Sequence, residues 1–239
     1  MSFGTLYSYP NNPRVMKVLL PSPLSTITSR LEANNEKILA AANLNNLSIS
    51  TPSFKIGTDN LTPEFRTKFP FGKVPAFEGS DGVKLVESDA IAQYVAESGP
   101  ASSQLLGSSA IERAAVRQWV CFADGEVQGA MIQLVLPRLG YVAFDESVEK
   151  KGLEKLERAL GYLNEHLRGR DWVATEKLSL ADISIAAALY WAFAFIIDQE
   201  MRQKYPFVVS WFEKTVESEG VKQAFGEKKF IEKRETPKA

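Results

Sequence analysis

The stretch GKVPAFEGSDGVKLVESDAIAQY, Gly72–Tyr94, decides how the first half of the chain is read. At its centre, KVPAFEG and VKLVES flank the tight polar turn Ser80–Gly82, which is the pattern of an antiparallel hairpin. The apolar spacing of SDAIAQYVAES then changes from two to nearly four residues, so a helix follows directly. Two positions stand out. Pro75 lacks a ladder donor, and proline in a strand is confined to edges, bulges or unusual geometry. It reads either as a plain edge residue or as a cis Val74–Pro75 bond that turns the Val74 backbone toward an extended ligand. Ser88 reads as the N-cap of the helix, and that helix start also suits a carboxylate, with Glu87 beside it for an ammonium.

Working outward, GTLYSY (Gly4–Tyr9) and LSISTPSFKIG (Leu47–Gly57) carry strand signals, with LTPEFRTKFP as a short helix or turn between them and the hairpin. The order β-α-β-α-β-β-α implies a small α/β unit on a four-stranded mixed sheet, spanning residues 1–97. A Ser-, Gly- and Pro-bearing linker is expected at 98–108, followed by an all-helical unit over 109–227. In that unit ERAAVRQWVCFADGEVQGAMIQLVLP reads as one long helix, bent near Gly125 and Gly129 and closed by Pro137. Leu153, Leu156, Leu160, Leu163 and Leu167 form one apolar stripe. SLADISIAAALYWAFAFII is apolar nearly all round, the mark of a central helix, and Ser179 and Asp182 have capping-box spacing with Leu178 and Ile183 as a staple. YPFVVSWFEKTVES supplies another amphipathic helix, and the charged tail 228–239 is expected to fray.

Composition narrows the partners. With a net charge of −1 there is no electrostatic footprint for nucleic acid or an anionic membrane surface. The most apolar run, YWAFAFII, is too short to span a bilayer. One cysteine, Cys121, forms no internal disulfide, and no Cys/His cluster suits a metal, so a cytoplasmic setting is expected. Cys121 reads as a small buried apolar residue and His166, near a helix C-terminus, as a surface residue.

Taken together, GKVPAF, ESDAIAQY and LSLADI in this order resemble the glutathione transferase superfamily: a thioredoxin-like α/β domain with Pro75 as its cis-proline, then an all-α bundle. FGTLYSYPNNPR, LTPEFRTKFPFGKVPAFEGSDG, QWVCFADGEV and VLPRLGY are similar to the glutathione-transferase-like domain of elongation factor 1-gamma and its free-standing fungal relatives. The resemblance implies that Lys73, Val74, Pro75, Glu87 and Ser88 form the glutathione site. Val74 would pair with the cysteinyl backbone, and Glu87 and Ser88 would hold the γ-glutamyl end. Trp119, Phe122 and Met131, with Val127, would fall on the helix that walls the pocket for a hydrophobic electrophile. Homodimerisation is implied too, and glutathione serves as co-substrate with no metal.

The chain departs from the family pattern where a Ser, Cys or Tyr ordinarily stabilises the thiolate. The matching turn reads Tyr9-Pro10-Asn11-Asn12-Pro13-Arg14, leaving the amides of Asn11 and Asn12, or the hydroxyls of Tyr9 and Tyr7, as donors. Strand-core packing is the plainer reading of both tyrosines. Two functions therefore stand side by side. One is glutathione conjugation to an electrophile, in detoxification or a secondary-metabolite pathway; the other is a non-catalytic module for assembly with elongation factor 1 subunits. If Ala239, just past the last expected helix, ends the whole protein, the first is the expectation.

One segment fits neither reading. VLLPSPLSTITSRLEANNEK, residues 18–37, puts Pro21 and Pro23 where the first helix should run. Joining Lys17 to Ile38 restores NPRVMKILAAANLNN, a continuous amphipathic helix. Valine codons begin with GT and a lysine codon can end in AG, so a retained intron of twenty codons accounts for the segment as an alternative to a family-specific loop.

Overall fold

The computed structural model describes residues 2–8 and 35–238, and the facts below concern those residues. Strand β1 (Gly4–Tyr7) lies at the centre of a four-stranded sheet of order β2-β1-β3-β4. Helix α1 (Glu36–Leu44) leads to β2 (Ile49–Ser50), parallel to β1 and shorter than the strand signals of 47–57 suggest. After a single 3₁₀ turn, α2 (Pro63–Lys68) precedes β3 (Ala76–Gly79) and β4 (Lys84–Val86), both antiparallel to their neighbours. Helix α3 (Ser88–Glu97) closes this unit.

Alternation along β1 and β3 sorts the sheet's two faces. Leu6 and Phe77, paired in register, point at α1 and α3 and are almost fully buried. Tyr7 and Ala76, the next pair, face α2 and join Phe54, Phe65 and Phe69 in a smaller apolar cluster. Gly4 is required where it stands, because a β-carbon there would lie 2.3 Å from the Phe77 ring.

The expected linker, residues 98–108, contains helix α4 (Ser102–Leu106), which buries Leu105 and Leu106. The bundle follows with α5 (Ala110–Phe122), whose N-terminus is fastened by a Ser109–Glu112 capping box. A π-helical turn, Ala123–Gln128, then joins it to α6 (Gly129–Leu139). The expected change near Gly125 and Gly129 is thus a widened turn inside a continuous helix, and the Gly125 carbonyl accepts from Lys155 Nζ at 2.7 Å. Pro137 does not close α6. The helix runs two residues further and stops at Gly140, whose φ of +80° makes the left-handed cap that a side-chain-bearing residue resists.

Helix α7 (Glu146–His166) carries the leucine stripe, and Leu156, Leu160, Leu163 and Leu167 are buried. Helix α8 (Leu180–Phe195) is buried on all sides and runs through the centre of the bundle. Asp182, fully buried, holds its start. Its carboxylate accepts from the Ser179 backbone N–H at 2.9 Å, the Ser179 hydroxyl at 2.8 Å, the Val173 N–H at 2.9 Å and Trp211 Nε1 at 2.9 Å. Burial pushes the Asp182 carboxyl above the usual carboxylate range, and the four donors pull against that shift.

Helices α9 (Gln199–Lys204), α10 (Pro206–Glu217) and α11 (Lys222–Phe225) complete the bundle. The tail does not fray. Phe230 stacks on Phe193 at 5.0 Å, Ile231 is buried, Arg138 Nε donates to the Glu235 carbonyl at 2.7 Å, and the Lys238 N–H donates to the Pro137 carbonyl at 3.1 Å. A mostly charged composition hid these two apolar anchors. Among the described residues no helix is long and apolar enough to cross a membrane.

The last three residues of the anomalous segment, Asn35, Glu36 and Lys37, are described and belong to the start of α1; residues 18–34 lie outside the described residues. Glu36 and Lys37 are both buried, and Lys37 forms an ion pair with Asp89 in the first turn of α3. Joining Lys17 to Ile38 keeps a lysine at that place and exchanges the buried Glu36 for Met16. In denaturant titrations Asp182→Ala should lose about 3 kcal/mol or more, because it strands buried donors on Trp211, Val173 and Ser179 together.

Candidate functional site

The pairing of Ala76 with Val86 brings the segment before β3 and the segment after β4 to the same end of the hairpin. The chain leaves α2 through a turn in which the Gly72 N–H donates to the Phe69 carbonyl at 2.9 Å, with Gly72 at φ +60°. Lys73 is exposed, its ammonium 5.9 Å from the centre of the Phe71 ring. The Val74–Pro75 bond is cis, and the two residues stand just ahead of β3 rather than inside it. That placement follows from proline's missing donor, since Ala76 is the first residue to enter the ladder with Tyr7.

At the other end of the hairpin, the helix start differs by one residue from the sequence reading. Ser88 is the first residue of α3, and Glu87 takes the cap position with φ +67° and ψ 117°. A non-glycine residue in this region stores roughly 1–3 kcal/mol of backbone strain. The consequence is an exposed Glu87 side chain directly beside a Ser88 that is only 1% exposed. The Ser88 hydroxyl is buried and has no hydrogen-bond partner among the described residues. It does not cap its own helix, so the bland reading of this serine fails. What remains is an unpaired hydroxyl at the positive end of a ten-residue helix, a place suited to an anion.

Of the expected thiol-activating groups, Tyr9, Asn11 and Asn12 lie outside the described residues. Tyr7 is described and turns away. Its hydroxyl donates to Glu78 at 3.0 Å, and Lys68 donates to the same carboxylate oxygen at 2.7 Å. Burial, then the Glu78 carboxylate, push the Tyr7 phenol up, while Lys68 pulls the Glu78 carboxyl down. With its proton committed to Glu78 and its ring among Phe54, Phe65 and Phe69, Tyr7 is a core residue.

Trp119 is buried and meets Phe122 at 5.1 Å, Tyr162 at 5.6 Å and His166 at 4.4 Å, so this group sits between α5 and α7. Met131 and Val127 are each 1% exposed, inside the bundle core. His166 is half-buried rather than fully exposed: Nε2 donates to the Val173 carbonyl at 2.8 Å while the ring packs on Trp119. Cys121 is exposed, because the buried face of α5 runs through Val116, Trp119 and Val120 and leaves position 121 outside. Where α1, the π turn and α8 meet, a small cavity of about 10 Å³ is lined by Lys37, Asp124, Gln128 and Ser184 among alanines. None of Trp119, Phe122 or Met131 lines it. No group of three His, Cys, Asp or Glu among the described residues is arranged to hold a metal ion.

Comparison with known proteins gives a consistent result. Residues 27–97 match the family described as glutathione S-transferase, N-terminal domain, and residues 122–219 the glutathione S-transferase, C-terminal domain. A glutathione S-transferase-like protein of Fusarium sp is 49% identical over 230 residues, covering 96% of both chains. Elongation factor 1-gamma of Danio rerio is 36% identical over 233 residues, covering 98% of this chain and 48% of that protein. Among solved structures, the GST-like domain of elongation factor 1-gamma from Saccharomyces cerevisiae superposes with a TM-score of 0.79 at 23% identity, covering 100% of both chains. The glutathione transferase URE2P6 from Phanerochaete chrysosporium, in complex with oxidized glutathione, gives 0.78 at 17% identity, covering 94% of this chain and 95% of that one. At those identities the structural likeness concerns the fold, whereas the sequence relatives carry ancestry, and on their strength the chain belongs to the glutathione S-transferase superfamily.

Proposed function

We propose that this chain binds glutathione at the Lys73–Val74 and Glu87–Ser88 edge and conjugates it to an electrophilic small molecule. The observation that carries the reading is the Ser88 hydroxyl, buried and unpaired in the first turn of α3. A buried hydroxyl without a partner costs stability, and a bound carboxylate repays that cost while the helix N–H groups add charge complementarity. The α-carboxylate of a γ-glutamyl group is such an anion. Glu87, exposed next to it, offers an acceptor to the ammonium on the same carbon. The extended tripeptide would then run past Val74, where backbone pairing suits its cysteinyl unit. Bringing the thiol beside an acceptor supplies proximity, and a donor near the sulfur would favour the thiolate; Asn11, Asn12 and Tyr9 are proposed for that role. The free-standing Fusarium relative, at nearly half identity across its length, supports the transferase reading.

A second reading keeps the same fold as an assembly module. It is favoured by the likeness to elongation factor 1-gamma, of which this chain matches about half, 48%. Partners in that reading are other elongation factor 1 subunits, and either reading accommodates a homodimer.

Binding and stability should respond in opposite directions at this site. Ser88→Ala removes a hydroxyl that satisfies nothing in the free protein, so its unfolding midpoint should hold or rise slightly. Its dissociation constant for glutathione should rise about tenfold or more, the worth of a hydrogen bond to a charged group. Glu87→Gly should relieve the positive-φ strain and raise the midpoint by about 2–4 °C per kcal/mol released, again with weaker glutathione binding. Calorimetric titration with glutathione, and conjugation of the thiol to a generic aryl halide, provide the readouts. A wild-type protein that ignores millimolar glutathione would remove the transferase reading and leave the assembly module.

A further inference from the structure

Asn60 lies outside the hairpin and none of the motifs singles it out, yet it ties together the two loops beneath the proposed tripeptide. It is 8% exposed, in the 3₁₀ turn that precedes α2. Its side-chain amide is used at both ends. Nδ2 donates to the Gly72 carbonyl at 2.8 Å, and Oδ1 accepts from the Gly57 N–H at 2.6 Å. Its backbone also approaches closely, since a β-carbon on Gly72 would stand 3.0 Å from the Asn60 carbonyl oxygen. Gly72 is held at φ +60° and directly precedes Lys73 and Val74. The carbonyl that Asn60 grips therefore belongs to the peptide unit leading into the segment that would pair with glutathione. At neutral pH an ionised aspartate of the same length would only accept, so the amide is what supplies both a donor and an acceptor in this arrangement.

We propose that Asn60 is a positioning residue for glutathione, fixing the Gly72–Val74 backbone through its two-ended amide bridge, an inference that rests on the glutathione reading given above. The side chain is buried beneath the loop and acts through Gly72, without contact to the ligand. Losing the bridge leaves a backbone with glycine freedom at the one place where a defined rung is needed.

The test is a series of variants titrated with glutathione, each with its unfolding midpoint. Asn60→Ala should weaken glutathione binding about tenfold, and in turnover should raise KM for glutathione with kcat nearly unchanged. Asn45→Ala is the matched control. Asn45 is also a buried two-ended bridge, donating to the Val95 and Ala96 carbonyls and accepting from the Ala101 N–H, but between α1 and α3. It should lower the midpoint and leave glutathione affinity as it was. Asn60→Asp separates positioning from plain destabilisation. Its carboxylate keeps the Gly57 contact but opposes the Gly72 carbonyl, and protonation restores a donor. Relative to wild type, its affinity should recover as pH falls from about 7.5 toward about 4, where an aspartate begins to bind its proton, burial beside a carbonyl raising that point. Equal affinity in wild type and Asn60→Ala, or losses in Asn45→Ala as large as in Asn60→Ala, would overturn the inference. So would an Asn60→Asp affinity that does not recover with acid. If wild type itself fails to bind millimolar glutathione, the ligand reading falls and this inference with it; if wild type binds, the variants judge Asn60 alone.

Discussion

Asp182 accepts four hydrogen bonds from three parts of the bundle, and the rest of the molecule is arranged around the helix it begins. Two bonds close the start of α8, one draws in the loop at Val173, and one fixes Trp211 of α10. Helix α8 has no polar face to show to water, so its stability comes from burial on every side rather than from propensity. A carboxylate in that setting is expensive unless every lone pair is used, and here the donors surround it. With its start fixed, α8 supports α1 and α3, the two helices that back the sheet.

The α/β unit uses the support in a different way. Lys37 of α1 is paired with Asp89, one residue beyond Ser88, so the packing of α1 on α8 is coupled to the position of the α3 N-terminus. Around that terminus the ordinary rules of local stability are broken twice within two residues. Glu87 takes a conformation that favours glycine, and Ser88 buries a hydroxyl with no partner among the described residues. Polar side chains at several other helix starts are satisfied, as at Ser109, Asp145 and Asp198, whereas Asn35 Oδ1 at the start of α1, like Ser184 Oγ and Trp191 Nε1 of α8, is buried without a partner among the described residues. At Ser88 the unpaired hydroxyl coincides with the start of a ten-residue helix and a strained neighbour, a place where a bound anion would offset the cost.

Much of the fold was legible from periodicity. The hairpin, the amphipathic α3, the leucine stripe of α7 and the all-apolar α8 are elements whose patterns are dictated by burial, and each stands where its pattern puts it. The misreadings share a cause, which is that local signals are settled by tertiary contacts. Ser88 has the identity of an N-cap, but the hairpin's exit places Glu87 there instead. Pro137 has the identity of a terminator, yet the continuing bundle carries α6 on to Gly140. The tail reads as solvated until Phe230 and Ile231 find the aromatic end of the core. On α5 and α6 the apolar residues satisfy several faces at once, so composition alone does not say that Trp119 turns to α7 and Met131 to the core. Asn60 was invisible because its role depends on a contact twelve residues away that no periodic pattern records.

The central claim is that the Ser88 hydroxyl and the α3 N-terminus receive the γ-glutamyl carboxylate. A crystal structure of this protein grown with glutathione tests it most directly. The account predicts the γ-glutamyl carboxylate within hydrogen-bonding distance of Ser88 Oγ and the first N–H groups of α3, with the ammonium toward Glu87. A tripeptide seated elsewhere, with Ser88 Oγ still unpaired, would contradict it.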